Sequence, residues 1–172
     1  MRRECDKRTS RLTPYKFLYT ISMKIYIGAD HRGFELKNKL TEWLTSEDHE
    51  VIDCGNDHYD PEDDNPDFAQ AVARGILKHA DTPDRLTVFG IVICGSGVGV
   101  TIAVNRFKAL YCALGFDVQQ VQHARANDHI NVLSIPSEYV TFEKAKEMVT
   151  VFLTTEPLDK DKYLRRLKKM DL

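Results

Sequence analysis

The stretch that most constrains this chain is Phe89-Gly-Ile-Val-Ile-Cys-Gly-Ser-Gly-Val-Gly-Val100. Phe89, Ile91, Val92, Ile93 and Cys94 form a short apolar run broken only by Gly90, the pattern of a strand buried on both faces of a parallel sheet. Gly95, Gly97 and Gly99 interrupt the run, and Thr101 to Asn105 resumes in a pattern that can be helical. The reading is strand, glycine turn, helix N-terminus. Without Cβ atoms in the way, backbone N–H groups of such a turn converge, and the helix end adds positive potential, so an anion or a developing oxyanion can be held there. Cys94 stands at the mouth of this nest, where the same field stabilises a thiolate. Either Cys94 is an acid/base or nucleophile, or it is a small buried hydrophobe ending a strand.

The surrounding chain alternates in the same way. Lys24 to Gly28 reads as a buried strand, Ala29 to Gly33 as the turn at its carboxyl end, and Phe34 to Leu44 as a helix carrying Phe34, Leu36, Leu40, Trp43 and Leu44 mostly on one face. Asp30 and His31 therefore sit where open parallel sheets collect ligands, although Asp30 also suits a helix N-cap. His49 to Cys54 is a second strand. Gly55 to Pro66 is an acidic loop whose Asp60, Glu62, Asp63 and Asp64 read as solvated, since the glycine and terminal glutamate of a calcium loop are missing. Helices are expected from Asn65, over Val118 to Ala126 and over Thr141 to Leu153, with strands over Ala109 to Leu114 and Asn131 to Ile135. Lys160 to Met170 is a basic helix. Lys162 and Arg166 lie four apart on one face, a spacing able to clamp a phosphate. The expected fold is α/β, a Rossmann-like three-layer sandwich with a central five-stranded parallel sheet and a C-terminal basic helix.

Composition narrows the function. The 172 residues suit one domain, and a net charge of -2 gives no bulk attraction to nucleic acid or an anionic membrane. Cys5, Cys54, Cys94 and Cys112 show no metal spacing and read as reduced thiols of a cytoplasmic protein. No apolar run approaches the roughly 18 residues of a membrane span. Residues 1–22 are basic, and Met23 directly precedes the first strand. They are expected to be a disordered extension or a misassigned start, with one domain over 23–172. A lone dinucleotide fingerprint is disfavoured because Val100 stands where its third glycine belongs.

Met23 to Lys37, Asn65-Pro-Asp-Phe-Ala69, Ile93 to Gly99, Ala103-Val-Asn105 and Asn131-Val-Leu133 resemble, in order and spacing, the type B ribose-5-phosphate isomerase and galactose-6-phosphate isomerase family. The resemblance implies a homodimer or tetramer with sites at the subunit interface, no metal or cofactor, and aldose–ketose interconversion of a phosphosugar through a cis-enediol. It implies Cys94 as the base, Gly95, Ser96, Gly97, Val98 and Gly99 as the enediolate nest, Asp30 and His31 as sugar contacts with Asp30 helping ring opening, and Lys162 and Arg166 as phosphate ligands. At four positions the chain departs from the family. Asn127 and Asp128 stand where it has His-Asn, Tyr111 and Glu138 where it has arginines. A negative Asp128 facing an enediolate opposes the chemistry unless it is protonated or turned away, and Glu138 repels a phosphate; His123 and His129 read first as surface residues and second as substitutes for the lost histidine. The expectation is a sugar-phosphate isomerase of the ribose 5-phosphate type. The alternatives are an isomerase for another sugar, a non-catalytic phosphosugar-binding homologue, and a structural dimer without ligand.

Overall fold

The computed structural model describes residues 22–82 and 86–170. Apart from Ser22, the expected N-terminal extension lies outside the described residues. In chain order the elements are β1 (Lys24–Ala29), α1 (Phe34–Ser46), β2 (Glu50–Asp53), α2 (Asn65–Leu77), β3 (Val88–Cys94), α3 (Val98–Val104), β4 (Cys112–Leu114), α4 (Val118–Asp128), β5 (Val132–Pro136), α5 (Phe142–Thr154) and α6 (Asp161–Met170). The strands form one parallel sheet in the order β2-β1-β3-β5-β4, the expected Rossmann-like architecture.

Alternation along the strands builds two cores. Ile25, Ile27, Ala29, Phe89, Ile91, Ile93, Leu133 and Ile135 face α1, α4 and α5. Tyr26, Val88, Val92, Cys94 and Val132 face α2 and α3. All seven residues of β3 are buried, and at about 1.5–3 kcal/mol for each large apolar side chain they anchor both layers. Close approach of α2 depends on Gly75, where a Cβ would stand 2.3 Å from the Tyr26 ring. That ring is held by a 3.1 Å hydrogen bond between its hydroxyl and His79.

The strand expected over Ala109 to Leu114 is only Cys112–Leu114. Ala109 adopts a left-handed φ of 66°, and the Tyr111 N–H donates to the Asn131 side chain at 2.8 Å rather than to a ladder. Elsewhere the elements begin and end within a few residues of expectation. Among the described residues no helix is long and apolar enough to cross a membrane.

The order of strands has a functional consequence. From β1 the chain steps to β2 on one side, then to β3 on the other, so the topology reverses between β1 and β3, the place where ligands enter doubly wound sheets. Gly75→Ala tests the packing that holds α2 there. Alanine gains about 1 kcal/mol of helix propensity but overpacks Tyr26 at about 1–3 kcal/mol. Urea denaturation is expected to show a lower midpoint for the variant; an unchanged or higher midpoint contradicts the packing account.

Candidate active site

Register brings the two halves of the site together. Ala29 pairs with Ile93, and the Asp30 N–H donates to the Ile93 carbonyl at 3.3 Å, so Asp30 and Cys94 leave adjacent strand ends side by side. Asp30 is 5% exposed and Cys94 4%. Asp30 Oδ1 accepts from the N–H groups of Arg32 and Gly33, both at 3.0 Å, closing the turn after β1; the N-cap of α1 is Gly33 and not Asp30, because three residues of turn separate the carboxylate from the first helical residue. The same residue remains a sugar-binding candidate through its second oxygen. Burial pushes its carboxyl above the ordinary value of 3.8, against the Gly33 N–H, which pulls it down.

The turn after β3 has the nest geometry. Gly97 has φ +73°, and a Cβ there would lie 2.4 Å from Leu114 Cδ1, so glycine is required on both counts. Its N–H donates to Cys94 Sγ at 3.2 Å, placing an amide dipole on the sulfur. The Gly97 carbonyl is turned away, accepting from Ser134 Oγ and Thr101 Oγ1, each at 2.7 Å. Ser96 and Val98 are exposed at the turn, and the Val98 N–H donates to Ser96 Oγ at 3.3 Å. Gly95 and Gly99 flank them. A thiol that receives the Gly97 N–H, a glycine turn and a buried carboxyl thus meet at one end of the sheet, an arrangement suited to removing a proton α to a carbonyl.

The loop after β5 is sewn to this turn. Ser137 Oγ bonds the Cys94 carbonyl at 3.2 Å and the Arg32 carbonyl at 2.9 Å, and the Glu138 N–H donates to the Gly95 carbonyl at 3.1 Å. Glu138, expected to repel a phosphate, is ion-paired with Arg32, whose side chain lies over Gly95. The carboxylate is answered locally, and a guanidinium is kept at the rim.

The remaining candidates lie elsewhere in the chain. Cys94 pairs with Pro136 at the carboxyl end of the sheet, whereas Asn127 and Asp128 end α4 ahead of Val132, about 13 Å away along the strand direction. Asn127 faces His123 across a 2.7 Å hydrogen bond and His129 Nε2 lies 3.2 Å from the Leu158 carbonyl, so within one chain both histidines lie with α4 and not beside Cys94. Exposed Asp128 and half-buried Tyr111 both line a cavity of about 600 Å³ beside β4 that Met170 borders. Helix α6 packs on α4, with Tyr163 as its buried residue. Lys162 and Arg166 bracket that ring at 4.7 and 6.0 Å, sharing a face as their spacing requires. Among the described residues no cluster of three or more His, Cys, Asp or Glu is placed to hold a metal.

Sequence reasoning missed Asp63. Taken as part of a solvated run, its side chain is 6% exposed and holds His31, accepting from the His31 N–H at 3.0 Å and facing Nδ1 at 2.8 Å. Its composition signal is an ordinary acidic loop; only the fold brings that loop over His31.

A raised carboxyl pKa means that the folded state disfavours ionised Asp30, so the stability cost is present above the folded pKa and absent below about 3.8. Asp30→Asn keeps an acceptor for both N–H groups and removes the charge. Thermal melts should place this variant above the parent at pH 7, with the gap closing as pH falls through the carboxylate range; a lower melting temperature at pH 7 contradicts the assignment.

Comparison with known proteins agrees with this geometry. The ribose/galactose isomerase family model matches residues 25–170. The probable ribose-5-phosphate isomerase B of Mycoplasma genitalium is 35% identical over 150 residues, covering 87% of this chain and 95% of the relative. The ribose-5-phosphate isomerase B of Mycobacterium tuberculosis is 39% identical over 145 residues, 84% of this chain and 86% of its own. Among solved structures, the Thermotoga maritima ribose 5-phosphate isomerase superposes with a TM-score of 0.79 at 34% identity, covering 87% of this chain and 97% of that one. The Mycoplasma genitalium enzyme, solved with bound ribulose-5-phosphate, gives a TM-score of 0.79 at 35% identity, with 87% and 95% covered. With the parallel sheet, the nest and the Asp30–Cys94 juxtaposition in place, the chain belongs to the ribose/galactose isomerase family.

Proposed function

We propose that this protein is an aldose–ketose isomerase of a phosphosugar, of the ribose 5-phosphate to ribulose 5-phosphate type, working through a cis-enediol. The observation that carries the reading is Cys94 Sγ receiving the Gly97 N–H at 3.2 Å beside Asp30. Cys94 is the base that moves a proton between C1 and C2. The amides from Gly95 to Gly99, with Ser96, take the charge that this step places on oxygen. Asp30 and His31 contact the sugar. No cofactor is needed, because the electron pair stays within the substrate.

A homodimer completes the site in this reading. Cys94 and the phosphate candidates are separated within one chain, and Val98, Ile102, Phe116 and Tyr139 are exposed by 48%, 53%, 65% and 76%. Val98 begins α3 at the nest, and Phe116 and Tyr139 follow β4 and β5, so these apolar residues ring the carboxyl end of the sheet, where a second copy would cover them. That copy brings its own Asn127, Asp128, Lys162 and Arg166 toward this nest. The pairing of Glu138 with Arg32 removes the repulsion that the carboxylate alone would exert on a phosphorylated sugar. Free Cys54, Cys94 and Cys112 suit a reducing, cytoplasmic setting.

The test follows deuterium entering the sugar from D2O with ribose 5-phosphate, allose 6-phosphate and galactose 6-phosphate. Ribose 5-phosphate is expected to exchange and isomerise, and Cys94→Ala to lower both rates by about 10²–10⁴-fold; equal exchange by parent and variant contradicts the base assignment. Arg166→Ala should raise KM about tenfold or more by removing a charge-assisted hydrogen bond to phosphate. Mixing Cys94→Ala with Arg166→Ala protein after reversible dissociation is expected to recover activity, because one site of the mixed dimer is intact. Failure to recover would place both residues in one chain's site.

A further inference from the structure

An aldose phosphate that forms a furanose must be opened before its C2 proton becomes acidic, so a second proton-transfer pair is needed besides Cys94. Among the described residues two imidazoles follow strand ends on this side of the sheet: that of His58 is exposed and faces Asp57 at 2.7 Å, whereas that of His31 is held in specific surroundings. Asp63 Oδ1 takes both the His31 N–H, at 3.0 Å, and Nδ1, at 2.8 Å. An ionised carboxylate only accepts, so Nδ1 carries the hydrogen and Nε2 the lone pair. The Tyr59 ring stands edge-on to the imidazole at 6.1 Å and 90°, fixing its plane from another side. His31 Nε2 has no protein partner among the described residues.

The carboxylate is itself held. Asn56 Nδ2 donates to Asp63 Oδ2 at 3.3 Å, and the Asn56 carbonyl accepts at 2.9 Å from Lys37 Nζ. Lys37 is 1% exposed and ion-paired with Asp53. A buried ammonium is costly unless paired and hydrogen-bonded, and here its bonds tie the loop after β2 to α1. The imidazole lines a cleft of about 510 Å³ shared with Arg32, Tyr59 and Ser137, and Ser137 bonds the Cys94 carbonyl.

Resting on the isomerase reading above, we propose that His31 and Asp63 form a proton-transfer dyad that opens the sugar ring, with His31 catalytic and Asp63 positioning. His31 Nε2 takes the proton of the anomeric hydroxyl. The bond between the anomeric carbon and the ring oxygen breaks as the carbonyl forms. The ring oxygen takes a proton from a water molecule held by Asp30 Oδ2, the oxygen that accepts no backbone N–H, leaving hydroxide. The imidazolium, stabilised by Asp63, gives its proton to that hydroxide, so water and imidazole are both restored. The open aldehyde then meets Cys94 and the nest.

Ring opening is separable from the Cys94 step. Ribulose 5-phosphate is an open chain, so exchange of its C1 hydrogen in D2O needs the base and the nest alone. His31→Gln and Asp63→Asn are expected to lower turnover of ribose 5-phosphate about a hundredfold, while in Asp63→Asn, which leaves the sugar contacts in place, C1 exchange into saturating ribulose 5-phosphate changes less than about threefold. For Asp63→Asn the loss falls on kcat with KM kept, because the amide donates to Nδ1 and moves the imidazole proton to Nε2. Equal losses on both sugars, no loss on ribose 5-phosphate, or a loss carried by KM alone overturns the dyad. A parent protein that exchanges neither sugar overturns the isomerase reading instead.

Discussion

The pairing of β1 with β3 is the interaction on which the rest depends. Six residues of each strand run in parallel register, ending at Ala29 opposite Ile93. Because the chain order reverses between these two strands, no crossover covers their carboxyl ends. Two polar groups that would be costly inside a core, Asp30 and the Cys94 thiol, therefore meet in a half-enclosed place. A one-residue slip of β3 would exchange its two faces, turning Cys94 from α2 and α3 toward the core on the other side. The full burial of Ile91, Val92 and Ile93 is what makes such a slip expensive.

In the proposed reaction the nest converts this position into chemistry. Gly97 takes a left-handed turn that a side chain would block, and its carbonyl is fixed by Ser134 and Thr101, so its N–H points at the sulfur without competing bonds. The donors are set before any charge forms, and little reorganisation is left to the reaction. The cost appears at Asp30, whose burial disfavours its ionised form. Stability given up at such a residue is the usual price of a working site.

Much of this was legible in the sequence, and for identifiable reasons. The run from Phe89 to Cys94 has the composition of a doubly buried strand, and Gly95, Gly97 and Gly99 can stand together only where backbone must bend or approach closely. Asp30 was legible as a strand-end candidate, but its side chain closes the turn after β1 and does not cap α1, whose N-cap is Gly33. What periodicity could not show were contacts across long loops. Asp63 looks like its solvated neighbours until the loop folds over His31, and Glu138 looks repulsive until Arg32 reaches it. The apolar stripe of α6 was hidden because its anchor is the single ring of Tyr163 within a basic run. The shortening of β4 came from a left-handed alanine, a conformation with no composition signal.

The central claim is that converging amides beside a thiol hold a planar, negatively charged intermediate. Calorimetric affinity for a phosphorylated hydroxamate one carbon shorter than the sugar, whose planar O–C–N–O group copies the enediolate, measures this directly. Binding about a hundredfold or more tighter than ribose 5-phosphate is expected of a site shaped for the intermediate, with that advantage lost in Gly97→Ala. Equal affinity for the two compounds, or an advantage that survives Gly97→Ala, would contradict the account.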